Sequence, residues 1–244
     1  MEKVKLIFKS ESFYNNGQIV LNSMDDFSNH VHSAFEKELD VTESTRKEKG
    51  ITRRGIKADS LNSALRKQLK LIEYPTGTSL FGETHVENGV FFNETKEGFD
   101  FSAYDEDYNF SVLRNQYIGD DGKHLGEEKL IALYKKKKEK KSAWTAKVKA
   151  SGDLFKSIPE EKKSLTVVGE FQFGNWALVY RDLFRVMAAD AAPGVDMYIY
   201  ITATGTLQNL LSNNTVNYDQ VKEILSENEK LIKVPTWLIG LDIE

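Results

Sequence analysis

The stretch Gly169–Trp176, GEFQFGNW, decides how the whole chain is read. On a strand, alternate side chains share a face, so Glu170 and Gln172 point one way and Phe171 and Phe173 the other. The run SLTVVGEFQF (164–173) predicts a strand of about ten residues. WALVYRDLFRVMAAD (176–190) follows directly as an apolar helix, and VDMYIYITA (195–203) as a strand apolar on both faces. This order places the Glu170 strand inside a sheet, not at its edge. A carboxylate there sits in a cleft or against a partner, because an unpaired buried charge is costly. A divalent cation is one partner that would offset the cost.

Outward from that strand, the pattern is an α/β alternation. NNTVNYDQVKEIL (213–225) reads as a helix with cap-like asparagines, and VPTWLIGLDI (234–243) as a closing strand. Towards the N-terminus, VKLIF (4–8) and QIVLN (18–22) look like strands. SMDDFSNHVHSAFEKEL (23–39) reads as a helix capped by Ser23, with Phe27, Val31 and Phe35 on one face. Residues 41–58 are polar and basic, which predicts a mobile loop that orders on a partner. SLNSALRKQLKLI (60–72) is a helix with Leu61, Leu65 and Leu69 aligned, and GEEKLIALYKKKKEK (126–140) another. Aromatic and β-branched residues alternate with turn signals from Tyr74 to about Asp121, the pattern of a β-rich, acidic insertion. The expected architecture is a single domain over residues 1–244: a central mixed β-sheet flanked by helices, with that insertion at about 74–121.

Composition narrows the chemistry. The chain has 244 residues, 40% hydrophobic, which supports one substantial core. It has no cysteine, so disulfides, zinc–thiolate sites and cysteine nucleophiles are excluded. The opening MEKVKLIFKS fits neither a signal peptide nor a membrane span, and the expectation is a soluble cytoplasmic protein. The net charge of -4 conceals two basic stretches. One gathers Arg46, Lys47, Lys49, Arg53, Arg54 and Lys57; the other is YKKKKEKKSAWTAKVK (134–149). Local basic stretches on a mildly acidic chain suit a protein that grips a polyanion, although lysine runs also serve as solvated helix faces. His30, His32, His85 and His124 lack metal-ligand spacing. EGFDFSAYDEDYNF (97–110) lacks the glycine and terminal glutamate of a calcium loop, and no glycine-rich phosphate loop is present.

A metal site for phosphodiester cleavage needs a second carboxylate. Asp153, in KASGDLFKSI (149–158), is the candidate, lying just before the Glu170 strand. Asp153, Glu170 and the backbone carbonyl of Phe171 would together supply hard oxygen ligands for Mg2+, which polarises a phosphate and lowers the pKa of bound water.

The order Asp153, then Glu170-Phe171-Gln172, resembles the active-site motif of the PD-(D/E)xK nucleases, specifically the type II restriction endonuclease group containing BglII, BstYI and BamHI. VVGEFQFGNW with LVYRDLFRVMA, SNNTVNYDQV, KVPTWLIGLDIE and STRKEKGITRRGIKADSLNSALRKQLK are similar to segments of that group, whereas residues 73–130 show no correspondence. The resemblance implies Asp153 and Glu170 as ligands of one or two Mg2+ ions, with Gln172 where most of the superfamily has lysine. An amide is neither a general base nor a cation, but it can position a water. Proton removal would then fall to a metal-bound hydroxide or the substrate's own phosphate. Glu139 is the candidate for a further assisting glutamate. Asn175 stands where the family reaches the central bases, and Asn213 and Asn214 where it reads the outer base pair. Asparagine pairs most naturally with adenine, though a cap before a helix explains Asn213 and Asn214 equally. Arg53 and Arg54 are further DNA-binding candidates. The resemblance implies a homodimer on double-stranded DNA, in a prokaryotic cytoplasm, beside a cognate DNA methyltransferase. It also implies a GATC-centred six-base palindrome cut to leave four-base 5′ overhangs. Two alternatives stay open: a repair or structure-specific nuclease on the same fold, and a DNA-binding protein without catalysis.

Overall fold

The computed structural model describes residues 2–48, 51–74, 78–93, 98–120, 123, 126–137 and 139–244. Lys49 and Lys138 of the basic stretches, and His124, lie outside the described residues. In chain order the elements are β1 (Glu2–Tyr14), α1 (Gly17–Asn22), α2 (Phe27–Phe35), β2 (Glu38–Val41), β3 (Glu43–Glu48), β4 (Ile51–Ile56) and α3 (Ala58–Gln68). Next come β5 (Ser79–Phe81), β6 (His85–Glu87), β7 (Val90–Phe92), β8 (Phe101–Tyr104), α4 (Glu106–Tyr117), α5 (Glu127–Ala132) and α6 (Lys141–Ala150). The chain ends with β9 (Val167–Gln172), α7 (Ala177–Ala191), β10 (Met197–Ala203), α8 (Gly205–Leu210), α9 (Tyr218–Glu227) and β11 (Thr236–Ile243).

Seven strands form one mixed sheet in the order β2-β1-β11-β10-β9-β8-β5. Its centre, β9-β10-β11, is parallel; β1 and β8 run antiparallel to it, and the edge strands β2 and β5 pair antiparallel with those two in turn. Both faces of the centre are covered, as parallel strands require. Met197, Ile199 and Ile201 of β10 pack on one side with α1, α2 and α3, while Tyr198 and Tyr200 pack on the other with α7 and α9. On β9 the same alternation sends Phe171 to the α2–α3 side and Val168 to the α7 side. Glu170 and Gln172 therefore face α7, under a helix and not in open solvent. A third apolar cluster joins α4, α5 and α6 around Trp144, a core residue whose indole N–H donates to the Leu130 carbonyl at 2.9 Å.

The flanking parts differ from the sequence expectation in instructive ways. QIVLN is helical (α1), and Gly17 at its start presses on the backbone of Thr236, where any Cβ would lie 2.4 Å from the carbonyl oxygen. Tertiary packing here overrides a short apolar run that periodicity alone cannot assign. Ser23 ends α1 and does not cap α2, although Phe27, Val31 and Phe35 are buried as expected. The stretch expected to be a loop is the β3–β4 hairpin, a separate two-stranded sheet. Between residues 74 and 121, β5 and β8 extend the main sheet, and YDEDYNFSVLRNQY (104–117) is largely helical (α4), its N-cap Asp105 accepting the Tyr108 N–H. Among the described residues no helix is long and apolar enough to cross a membrane.

The seam between β8 and β9 depends on one glycine. Phe101 stands opposite Gly169, and a Cβ on Gly169 would lie 2.0 Å from the Phe101 ring. Gly169→Ala should lose about 1–3 kcal/mol in urea denaturation, the usual cost of overpacking. Gly82→Ala, where nothing lies within 4 Å of the added Cβ, should change stability by less than about 0.5 kcal/mol.

Candidate active site

At the carboxyl end of β9, Glu170 and Gln172 open onto a cleft of about 320 Å3. Three other elements complete it. Asp100, just before β8, accepts the Phe171 N–H on its Oδ2 at 2.7 Å, which fixes it beside the Glu170 strand. Helix α3 contributes Asn62 and Arg66, and α7 contributes Arg181 and Arg185.

The electrostatics are those of crowded carboxylates held by guanidinium groups. Glu170 is 4% exposed and paired with Arg185, while Arg66 bridges Asp100 and Glu83, the latter at 2.7 Å. Beneath them Asp182 of α7 is wholly buried, with Arg185 Nη1 at 3.4 Å and Arg181 Nη2 at 3.0 Å. Burial, together with the charges of Asp182 and Asp100, pushes the Glu170 carboxyl well above the ordinary carboxylate range, and Arg185 only partly opposes this. Burial likewise raises Asp182, against the pull of its Gln172 hydrogen bond and the arginines. Positive charge added beside Glu170 would favour its ionised form.

The side chains present suit a hard divalent cation. Asp100 and Glu170 are carboxylate donors on one cleft, and the Asn62 amide oxygen, also at this cleft, is buried without a hydrogen-bond partner. All three offer oxygen, the chemistry Mg2+ prefers. Among the described residues no group of three or more His, Cys, Asp and Glu is gathered for a metal, so a cation here would rest on two carboxylates and neutral oxygens.

Asp153, expected as the second carboxylate, does not line this cleft. It is exposed in the loop after α6, where its Oδ1 accepts the Phe155 N–H at 2.9 Å and its carbonyl accepts from Arg114. The structure brings Asp100 to Glu170 instead, because β8, not the segment leading into β9, is the neighbouring strand. Glu139 also lies away from the cleft, where its charge acts on Lys137 and Tyr104. Phe171 lines the cleft with Glu170 and Gln172.

The base-reading candidates cluster nearby. Asn175 forms a bridge with Thr215, which places it beside the exposed turn that carries Asn213 and Asn214. That turn is not a helix cap, since the cap of α9 is Asn217, in a reciprocal capping box with Gln220. Asn213 and Arg53 line a polar pocket of about 300 Å3 together with Gln208, Asn209 and Gln220. Arg54 pairs with Glu43 across the β3–β4 hairpin. A further pocket shares Ala58 and Asp59 with the carboxylate cleft and Ser212 with the polar pocket, so the three adjoin in a row that outlines a trough.

Sequence reasoning missed Asp100, Asn62, Arg66, Asp182 and Arg185. Arg185 and Asp182 carried a local signal, charged residues at i and i+3 within an otherwise apolar helix. On its outer face α7 leaves Tyr180 and Phe184 exposed, Phe184 by 70%, and with Leu231 they line an apolar groove; Trp176, just before the helix, is exposed too.

Comparison with known proteins places these features. The family model described as "Restriction endonuclease BglII/BglIII" matches residues 10–241. Among curated proteins, none matches. The solved structure of restriction endonuclease BglII complexed with a DNA 16-mer is similar to this chain at 12% identity, with a TM-score of 0.51, and the match covers all of this chain and 79% of that one. Free BglII is similar at 14% identity, with a TM-score of 0.45 and coverage of 98% and 79%. The chain belongs to the BglII/BglIII family of restriction endonucleases, within the PD-(D/E)xK superfamily.

Proposed function

We propose that this chain is a Mg2+-dependent type II restriction endonuclease that cuts both strands of a palindromic DNA site as a homodimer. The observation that carries the reading is the convergence of Asp100, Glu170, Gln172 and the unpartnered Asn62 oxygen on one cleft. Asp100 and Glu170, with Asn62, would hold one or two Mg2+ ions, which when bound polarise the scissile phosphate and activate water. The protein's own part is to keep both carboxylates beside each other on adjacent strands and to exclude solvent from Glu170. Arg66 and Arg185 neutralise them until the cation arrives.

Further along the trough, Asn175, Asn213 and Asn214 would read bases while Arg53 and Arg54 hold backbone phosphate. The BglII structure holds a DNA 16-mer, and a duplex in the trough would bring its phosphates to the carboxylate cleft. The reading extends to a GATC-centred six-base site, four-base 5′ overhangs, a prokaryotic cytoplasm and a partner methyltransferase that protects the host. The apolar face of α7 is the surface for the second copy, since reading a palindrome requires a two-fold axis.

Incubation with unmethylated phage DNA in Mg2+ and in EDTA, followed by sequencing of fragment ends, tests the activity. Discrete Mg2+-dependent fragments sharing one palindrome are expected. Nicks or smears would point to a repair nuclease, and Mg2+-independent binding without cleavage to a non-catalytic protein.

Asp100→Asn and Glu170→Gln should each lower the cleavage rate by about 100-fold or more while retaining duplex binding in Ca2+. Asp153→Ala should cut like the wild type, and loss of cutting in that variant would return the second carboxylate to Asp153. Arg53→Ala should reduce the salt slope of duplex binding by about 1, uniformly across sequences. Asn213→Ala should relax specificity at one base pair by about 1–3 kcal/mol. Phe184→Asp should shift sedimentation from dimer to monomer at micromolar concentrations.

A further inference from the structure

Gln172 is held at both ends of its amide. Nε2 donates to Asp182 Oδ2 at 2.7 Å, and Oε1 accepts the Gly174 N–H at 3.0 Å. The reverse orientation is forbidden, because it would set the amide oxygen against a carboxylate and the NH2 group against another N–H. Asp182 is itself fixed: it is wholly buried on α7, with Arg181, Arg185 and the Tyr200 hydroxyl around its two oxygens. One amide N–H of Gln172 is thus directed at Asp182, beside which the Tyr200 hydroxyl also lies close to the amide, and the second is carried on a side chain that lines the cleft with Glu170.

We propose that Asp182 is a positioning residue of the cleavage site, which locks Gln172 so that its second N–H is presented to an anionic oxygen of the scissile phosphate. This rests on the nuclease reading above. Gln172 then serves as a fixed donor, and Asp182, which does not line the cleft, acts only through it. The sequence could not show this, since an amide offers a donor and an acceptor equally until something fixes which end faces the substrate. Here the fixing residue comes from the helix packed over the strand, ten positions on in the chain. The other contacts of Asp182 offer a competing role, in which it merely neutralises Arg181 and Arg185 to hold α7 in place. The two roles differ in whether removing Asp182 matters once Gln172 has already lost its amide.

The test is a double-mutant cycle on kcat and KM with a cognate oligonucleotide duplex, using Asp182→Asn, Gln172→Leu and the double variant. Melting temperature and Ca2+-supported duplex binding report whether each variant is folded. The expected result is a fall in kcat of about tenfold or more for Asp182→Asn, in the range seen when an outer-shell partner is lost, with KM within about twofold. In the Gln172→Leu background the same substitution should have no further effect on kcat. An equal fall in both backgrounds, or no fall in either, would overturn the proposal.

Side-chain amide NMR of the wild type keeps it falsifiable if Asp182→Asn does not fold. The Gln172 NH2 pair, identified by its absence in Gln172→Leu, should show one proton protected from solvent exchange. Two freely exchanging protons would overturn the proposal without touching the nuclease reading. A wild type that locks Gln172 but never cleaves would overturn both.

Discussion

The constraint on which the site depends is the burial of Glu170 beneath α7. A carboxylate on the inner face of a parallel strand, 4% exposed and close to two other carboxylates, is stable only if its charge is answered. Arg185 answers it from the helix above, Arg66 does the same for Asp100 from α3, and the packing of both helices on the sheet sets where those guanidinium groups arrive. The same packing that builds the core therefore builds the cleft. A cation entering the cleft would meet carboxylates already paired, so its binding would be an exchange of partners and not the filling of a bare charge.

How much of this was legible in the sequence follows from which interactions are local. The strand GEFQF, the helix after it and the two apolar strands β10 and β11 could be read because alternation and helical periodicity are properties of short windows. Glu170 and Gln172 were visible for the same reason, as polar residues on a strand with buried neighbours. Asp100 was not, because its role comes from the pairing of β8 with β9, a contact between segments far apart in the chain that no spacing rule encodes. Asp153 drew attention by lying close before β9 in sequence, but the loop that carries it turns outward and leaves it in solvent. The β3–β4 hairpin was hidden by its composition: polar and basic residues read as a loop, yet they pair across two strands on which Glu43, Thr45, Thr52, Arg53 and Arg54 are exposed.

Helix α7 carries three tasks on one run of fifteen residues. Val179, Leu183, Val186 and Ala189 pack on the sheet; Arg185 reaches the cleft while Asp182 is buried against Gln172; Tyr180 and Phe184, with Trp176 just before the helix, remain outside. These sets interleave at helical spacing, so any rotation or shift of the helix that suits one must be tolerated by the others. Arg181 and Arg185 are thus less free to vary than their partial exposure suggests.

The pairing of β8 with β9 has a consequence in time as well as in space. Asp100 and Glu170 stand 70 positions apart, with α4, α5 and α6 folded in between. Their meeting is a long-range event of the kind that is slow to form. A chain still emerging from the ribosome, or one that has partly unfolded, holds neither carboxylate next to the other. If these two carboxylates carry the proposed cleavage, that arrangement confines the hazard to chains in which β8 and β9 have already paired.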